Sequence, residues 1–113
     1  MGLVVCKYPD SDIKFALYDK EEFNPEEFNI VKVKDASLNE VLDLPILNLY
    51  DFVIRTVRPK ERTDTHILGE LGLETFSDLF NEKQLIDQKK SKLSKSQRDI
   101  VIKRYTELIN LNV

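Results

Sequence analysis

Two short apolar runs, at residues 2–8 and 13–18, are rich in Val, Ile, Phe and Tyr and flank the polar turn Pro9-Asp10-Ser11-Asp12. That pattern predicts a β-hairpin. In the second run Ile13, Phe15 and Leu17 alternate with Lys14, Ala16 and Tyr18, which predicts a sheet buried on one face. Residues 20–27 form an acidic connection containing Asn24-Pro25, with Phe23 and Phe28 as its anchors to a core. Residues 29–34 alternate again and predict a third strand, with Val31 and Val33 on one side.

From Ser37 onward the period lengthens. Ser37-Leu38-Asn39-Glu40 has capping-box spacing, in which a side-chain oxygen caps first-turn amides and the residue three positions on reaches back. It opens a short helix that Pro45 ends or interrupts. Residues 45–57 are the most apolar stretch. Leu49, Phe52 and Val53 have helical spacing, and helix is preferred over strand there despite the β-branched residues. Residues 58–65 read as a polar loop and 66–71 as a short helix. Gly72 then suits a loop that redirects the chain. Two boxes in tandem, Thr75 with Asp78 and Asn81 with Gln84, predict two short helices burying Phe76, Leu79, Phe80, Leu85 and Ile86. Ser94 with Gln97 opens a last helix, on which Val101, Ile102, Tyr105, Leu108 and Ile109 share one face.

The expected fold is a single α+β domain over residues 1–113: a small N-terminal antiparallel sheet of about three strands, hairpin first, packed with C-terminal helices. Residues 1–35 supply the strands, 37–57 a helical apolar segment, 58–65 a loop and 66–111 the helices.

Gly72-Leu73-Glu74-Thr75-Phe76-Ser77-Asp78-Leu79-Phe80-Asn81-Glu82-Lys83-Gln84-Leu85 resembles a non-catalytic segment of large adenine-specific DNA methylases. That segment reads Gly-hydrophobic-x-Thr-Phe-small-Asp-Leu-Phe-x-x-basic-Gln-Leu. The resemblance implies a shared packing module and a DNA-handling or defence setting, viral or cellular. Those methylases need a Gly-rich cofactor loop and an Asn/Asp-Pro-Pro-Tyr motif. This chain has 3 ungrouped glycines and no Pro-Pro pair, so methyl transfer is not implied.

Composition narrows the chemistry. At 42% hydrophobic and 33% charged, the chain is expected to fold rather than stay disordered. No apolar run is long enough to span a membrane, and no signal-peptide pattern opens the sequence. The single cysteine, Cys6, permits no internal disulfide and predicts a reducing, cytoplasmic setting. It lies in Leu3-Val4-Val5-Cys6 and reads as a buried apolar residue.

One histidine and one cysteine are too few for a zinc site, and no Gly-rich phosphate loop or Gly-x-Ser-x-Gly elbow is present. Asp10 after Pro9 is not followed by the (Asp/Glu)-x-Lys strand of a metal-dependent nuclease. No catalytic, cofactor-binding or metal residues are therefore expected. His66 and the basic loop 55–62 are the places where enzyme chemistry would first be sought.

Charge is uneven along the chain. Residues 1–51 carry 5 basic and 11 acidic side chains, whereas residues 82–104 carry 8 basic and 3 acidic ones. The second group makes Lys89, Lys90, Lys92, Lys95 and Arg98 the candidate nucleic-acid contacts, with Lys83, Lys103 and Arg104 close by in sequence. Two functions remain. The preferred one is a non-enzymatic accessory protein acting through a protein interface or self-association, at a hairpin edge or at the Val101–Ile109 stripe. The alternative is nucleic-acid binding by the basic C-terminal helices.

Overall fold

The expected hairpin forms, and it lies at the centre of the sheet. In the computed structural model, which describes residues 2–111, β1 (Gly2–Lys7) and β2 (Lys14–Asp19) pair antiparallel, with Leu3 opposite Tyr18 and Cys6 opposite Phe15. A short 3-10 helix, Pro25–Phe28, leads to β3 (Val31–Asp35), which pairs antiparallel with the other edge of β1. A fourth strand, β4 (Ile46–Asn48), runs parallel to β2, so the order is β3-β1-β2-β4. The helices follow: α1 (Leu49–Val57), α2 (Asp64–Glu70), α3 (Phe76–Asp87) and α4 (Lys95–Asn110). The α+β class holds, but the sheet is mixed and four-stranded rather than antiparallel and three-stranded.

The extra strand comes from the stretch read as one helix. Pro45 lacks an amide for a helical ladder, and its carbonyl instead accepts from Ala16 N at 2.8 Å. The helix starts only at Asn48, whose side chain caps Tyr50 N at 2.8 Å. The loop after α1 is shorter than expected, because Thr63 caps α2 and the helix starts at Asp64.

Both faces of β1, β2 and β4 are buried, not one, whereas β3 is exposed along its length. Val4, Cys6, Phe15, Leu17 and Leu47 pack under Leu49 and Phe52 of α1 and under Phe23, Phe28 and Ile30. On the opposite face Leu3, Val5, Ala16, Tyr18 and Ile46 meet Leu68, Phe76, Leu79, Val101 and Leu108 from the other three helices. Ala16 and Tyr18, read as the outward residues of β2, serve this second core because a small and an amphipathic side chain both suit an interior. Ile13, read as inward, precedes β2 and is 76% exposed.

A single helix, α3, replaces the two in tandem. Thr75 Oγ1 accepts from Asp78 N at 3.1 Å, and the Asp78 carboxylate accepts from Thr75 N at 3.2 Å. Asn81 lies inside that helix, so no second start forms, and Phe80 and Leu85 are exposed rather than buried.

Helices α2 and α3 end in the same hydrogen-bond pattern. After α2, Leu73 N reaches Leu68 O at 2.9 Å and Gly72 N reaches Gly69 O at 3.1 Å, with Gly72 at φ 74°. After α3, Lys90 N reaches Leu85 O at 2.8 Å and Lys89 N reaches Ile86 O at 3.0 Å, with Lys89 at φ 60°. Lysine thus occupies the left-handed position that glycine takes without steric cost. Lys89→Gly is expected to raise unfolding stability by about 0.5–1 kcal/mol in urea melts with an unchanged m-value.

The Ser37 box also forms. Glu40 Oε1 accepts from Ser37 N at 3.0 Å and Oε2 from Lys34 Nζ at 2.9 Å. The Ser37 amide bond first, then the Lys34 ammonium, hold the Glu40 carboxyl down at about 2 from an ordinary 4.5. A depressed carboxyl stabilises the fold fully above its unfolded pKa, and that contribution is lost as pH falls through the folded one. Thermal melts from about pH 5 to about pH 2 should therefore fall less steeply for Glu40→Gln than for the wild type.

Candidate functional site

Val101, Arg104 and Leu108 form the buried stripe of α4. This places a guanidinium inside the molecule, with Arg104 only 4% exposed. Ile109, expected on that stripe, is instead 39% exposed. Arg104 Nη2 donates to Asp51 Oδ2 at 3.1 Å and to Thr65 Oγ1 at 2.9 Å, while the Thr65 hydroxyl donates to the same Asp51 oxygen at 2.6 Å. Asp51 Oδ2 also accepts from Thr65 N at 3.1 Å, and so caps the first turn of α2 from outside that helix. The guanidinium stands 5.5 Å from the centroid of the Tyr18 ring. Burial raises the Tyr18 hydroxyl above its ordinary pKa, and the Tyr18 hydroxyl donates to Glu107 Oε1 at 3.4 Å.

This arrangement joins α1, α2, α4 and the sheet, and it removes Arg104 from the basic tail. The remaining cations of the tail divide into paired and free. Lys83 holds Asp87 at 2.9 Å, Lys95 holds Asp99 at 3.1 Å, and Lys103 holds Asp64 at 3.1 Å. Arg98 Nη1 donates to Leu93 O at 3.1 Å. Lys89, Lys90 and Lys92 are exposed and make no ion pair among the described residues. The turn that carries them is braced by Ser91, whose hydroxyl donates to Glu82 at 2.7 Å and accepts from Leu93 N at 3.2 Å. Thus the five sequence candidates come together at one helical corner, with three of them free.

An aromatic cluster lies on the same two helices. Phe76 is 6.4 Å from Phe80 and 5.7 Å from Tyr105 between ring centroids, and Phe80 is 6.5 Å from Tyr105. Phe80 is 42% exposed and, with Leu42, Phe76, Ser77 and Asn81, lines a depression of about 330 Å³. Lys83 Nζ stands 5.5 Å above the Tyr105 ring at its border. The sequence predicts all three in the core; Phe76 is buried there and Tyr105 packs half-buried against it, whereas Phe80 is exposed.

Several of the residues searched for enzyme chemistry are paired with acids. His66 is exposed on α2, its Nε2 3.7 Å from Glu70. Arg58 and Arg62 of the basic loop pair with Glu61 and Glu70. Cys6 is fully buried, and that burial pushes its thiol up to about 11 against the opposing pull of Lys32. Among the described residues no group of three or more His, Cys, Asp or Glu side chains is placed to hold a metal ion. No helix among them is long and apolar enough to cross a membrane. No protein-family model, curated protein or solved structure matches the chain.

Thr65 gives and takes hydrogen bonds between two charged groups, so removing its hydroxyl should be felt well beyond a surface change. Thr65→Val is expected to lower stability by about 2 kcal/mol, read from chemical denaturation.

Proposed function

We propose that this chain is a non-enzymatic accessory protein that binds another protein through the aromatic face of α3 and α4. The observation that carries this reading is the exposed ring of Phe80, packed on buried Phe76 and half-buried Tyr105 beside a depression that Leu42 also lines. Aromatic side chains bring large contact area at low entropic cost and recur as the energetic centres of protein interfaces. The cluster is rigidly mounted, since Leu79 and Val101 on the same helices are fully buried. Phe76, Phe80 and Lys83 belong to the segment that resembles part of the DNA methylases. That coincidence supports a DNA-handling or defence setting for the partner.

Lys89, Lys90 and Lys92, free and adjacent, favour a second reading in which the helical corner contacts nucleic-acid phosphates.

A photo-crosslinking residue at position 81, beside the depression, tests the first reading when compared with one at position 90. Position 81 should give a discrete adduct in the native host, with a partner or with a second copy, and Phe80→Ala should weaken that complex by about 30-fold. Adducts only from position 90, with DNA or RNA affinity that falls steeply with salt and is lost when the three lysines become glutamate, would transfer the function to the corner.

A further inference from the structure

Arg104 also forms the inner wall of a cleft of about 410 Å³ between β4 and α2. Its apolar side is built from Ile46, Leu68 and Leu73, and Arg55 of α1 supplies a second cation. That volume lies at the lower end of the range for small-molecule sites, which combine apolar walls with a few placed polar groups.

Three features of the cleft are left unexplained by the fold. Arg104 makes all its hydrogen bonds through Nη2, so Nη1 makes none, while Nε is shielded from solvent and hence from a ligand in the cleft. A buried donor without an acceptor is costly. Arg55 is exposed and has no ion-pair partner among the described residues, whereas the Arg104 charge is already met by Asp51. Gly69 sits inside α2 at a φ that other residues adopt, and a Cβ there would meet only Glu74 Oε1, at 3.6 Å. Glycine at such a position weakens a helix relative to alanine. No packing contact requires that glycine; its absent side chain keeps the cleft open.

We propose that this cleft binds a small monocarboxylate carrying a short apolar tail. The carboxylate lies between Arg104 and Arg55, and Arg55 is the cation it neutralises, because Arg104 already holds Asp51. The tail lies along Ile46, Leu68 and Leu73. Of the acids on the rim, Glu70 is already held by Arg62 at 2.8 Å, whereas Glu74 is exposed and without an ion pair. Glu74 therefore disfavours a second negative charge on the ligand.

The test is a titration of the isotopically labelled full chain with hexanoate, followed by amide chemical shifts, with hexanamide and succinate as controls. A ligand of this size is expected to bind with a Kd of about 1 mM or tighter. Saturable shifts should centre on residues 46–47 and 65–74, and be absent with hexanamide and weaker with succinate. Arg55→Gln should weaken binding about tenfold. Gly69→Leu, which fills the cleft while improving helix propensity, should abolish binding without lowering the melting temperature. No saturable shift, equal response to hexanamide, or undiminished binding by a folded Gly69→Leu protein would each overturn the proposal.

Discussion

A buried guanidinium has to be given an anion, and that requirement sets how the helices meet over the sheet. Arg104 faces inward because it shares a helical stripe with Val101 and Leu108. Its charge fixes Asp51 on α1, and the same carboxylate caps α2 through Thr65. Helix α2 has 7 residues, with Leu68 its only residue buried in the core, too short to persist alone in water. Thr63 caps its first turn, Asp51 ties that turn to α1, and Arg104 and Lys103 tie it to α4. A buried ion pair gives little net stability over an apolar replacement, but removing one partner is severe. Arg104 therefore specifies an arrangement more than it strengthens one.

The same architecture limits where the protein can work. Both faces of β1, β2 and β4 are consumed by packing, and neither strand of the hairpin has a free edge. The hairpin-edge site expected from sequence is accordingly not available. At one side of the sheet β3 carries Lys32 and Lys34 and a register shift against β1, devices that discourage strand addition. On the other, Ile46 N is taken by Glu74 O at 2.9 Å and Pro45 bridges to Thr75. The surfaces left for binding are helical, the aromatic face and the lysine corner, together with the cleft behind Arg104.

Local chemistry made much of this legible beforehand. The hairpin turn and the boxes at Ser37, Thr75 and Ser94 act within a few residues, and all formed. The fourth strand was hidden because three residues are too few for periodicity, although Asn48 ahead of Tyr50 was an available helix start. Asn81 had the spacing of a cap but no chain break before it, so the helix from Thr75 ran through. Arg104 was read by its charge as surface, while its spacing from Val101 and Leu108 pointed inward. Which lysines are free depends on partners distant in sequence, such as Asp64 for Lys103, and composition cannot show that.

A double-mutant cycle on unfolding free energy, with Arg104→Met and Asp51→Leu, tests the governing constraint most directly. Each single change strands a buried charge and should cost about 3 kcal/mol or more, while the double variant should recover at least about 2 kcal/mol of their sum. Single effects that add to within about 0.5 kcal/mol would mean that the two side chains are not coupled, and that the helices are placed by apolar packing alone.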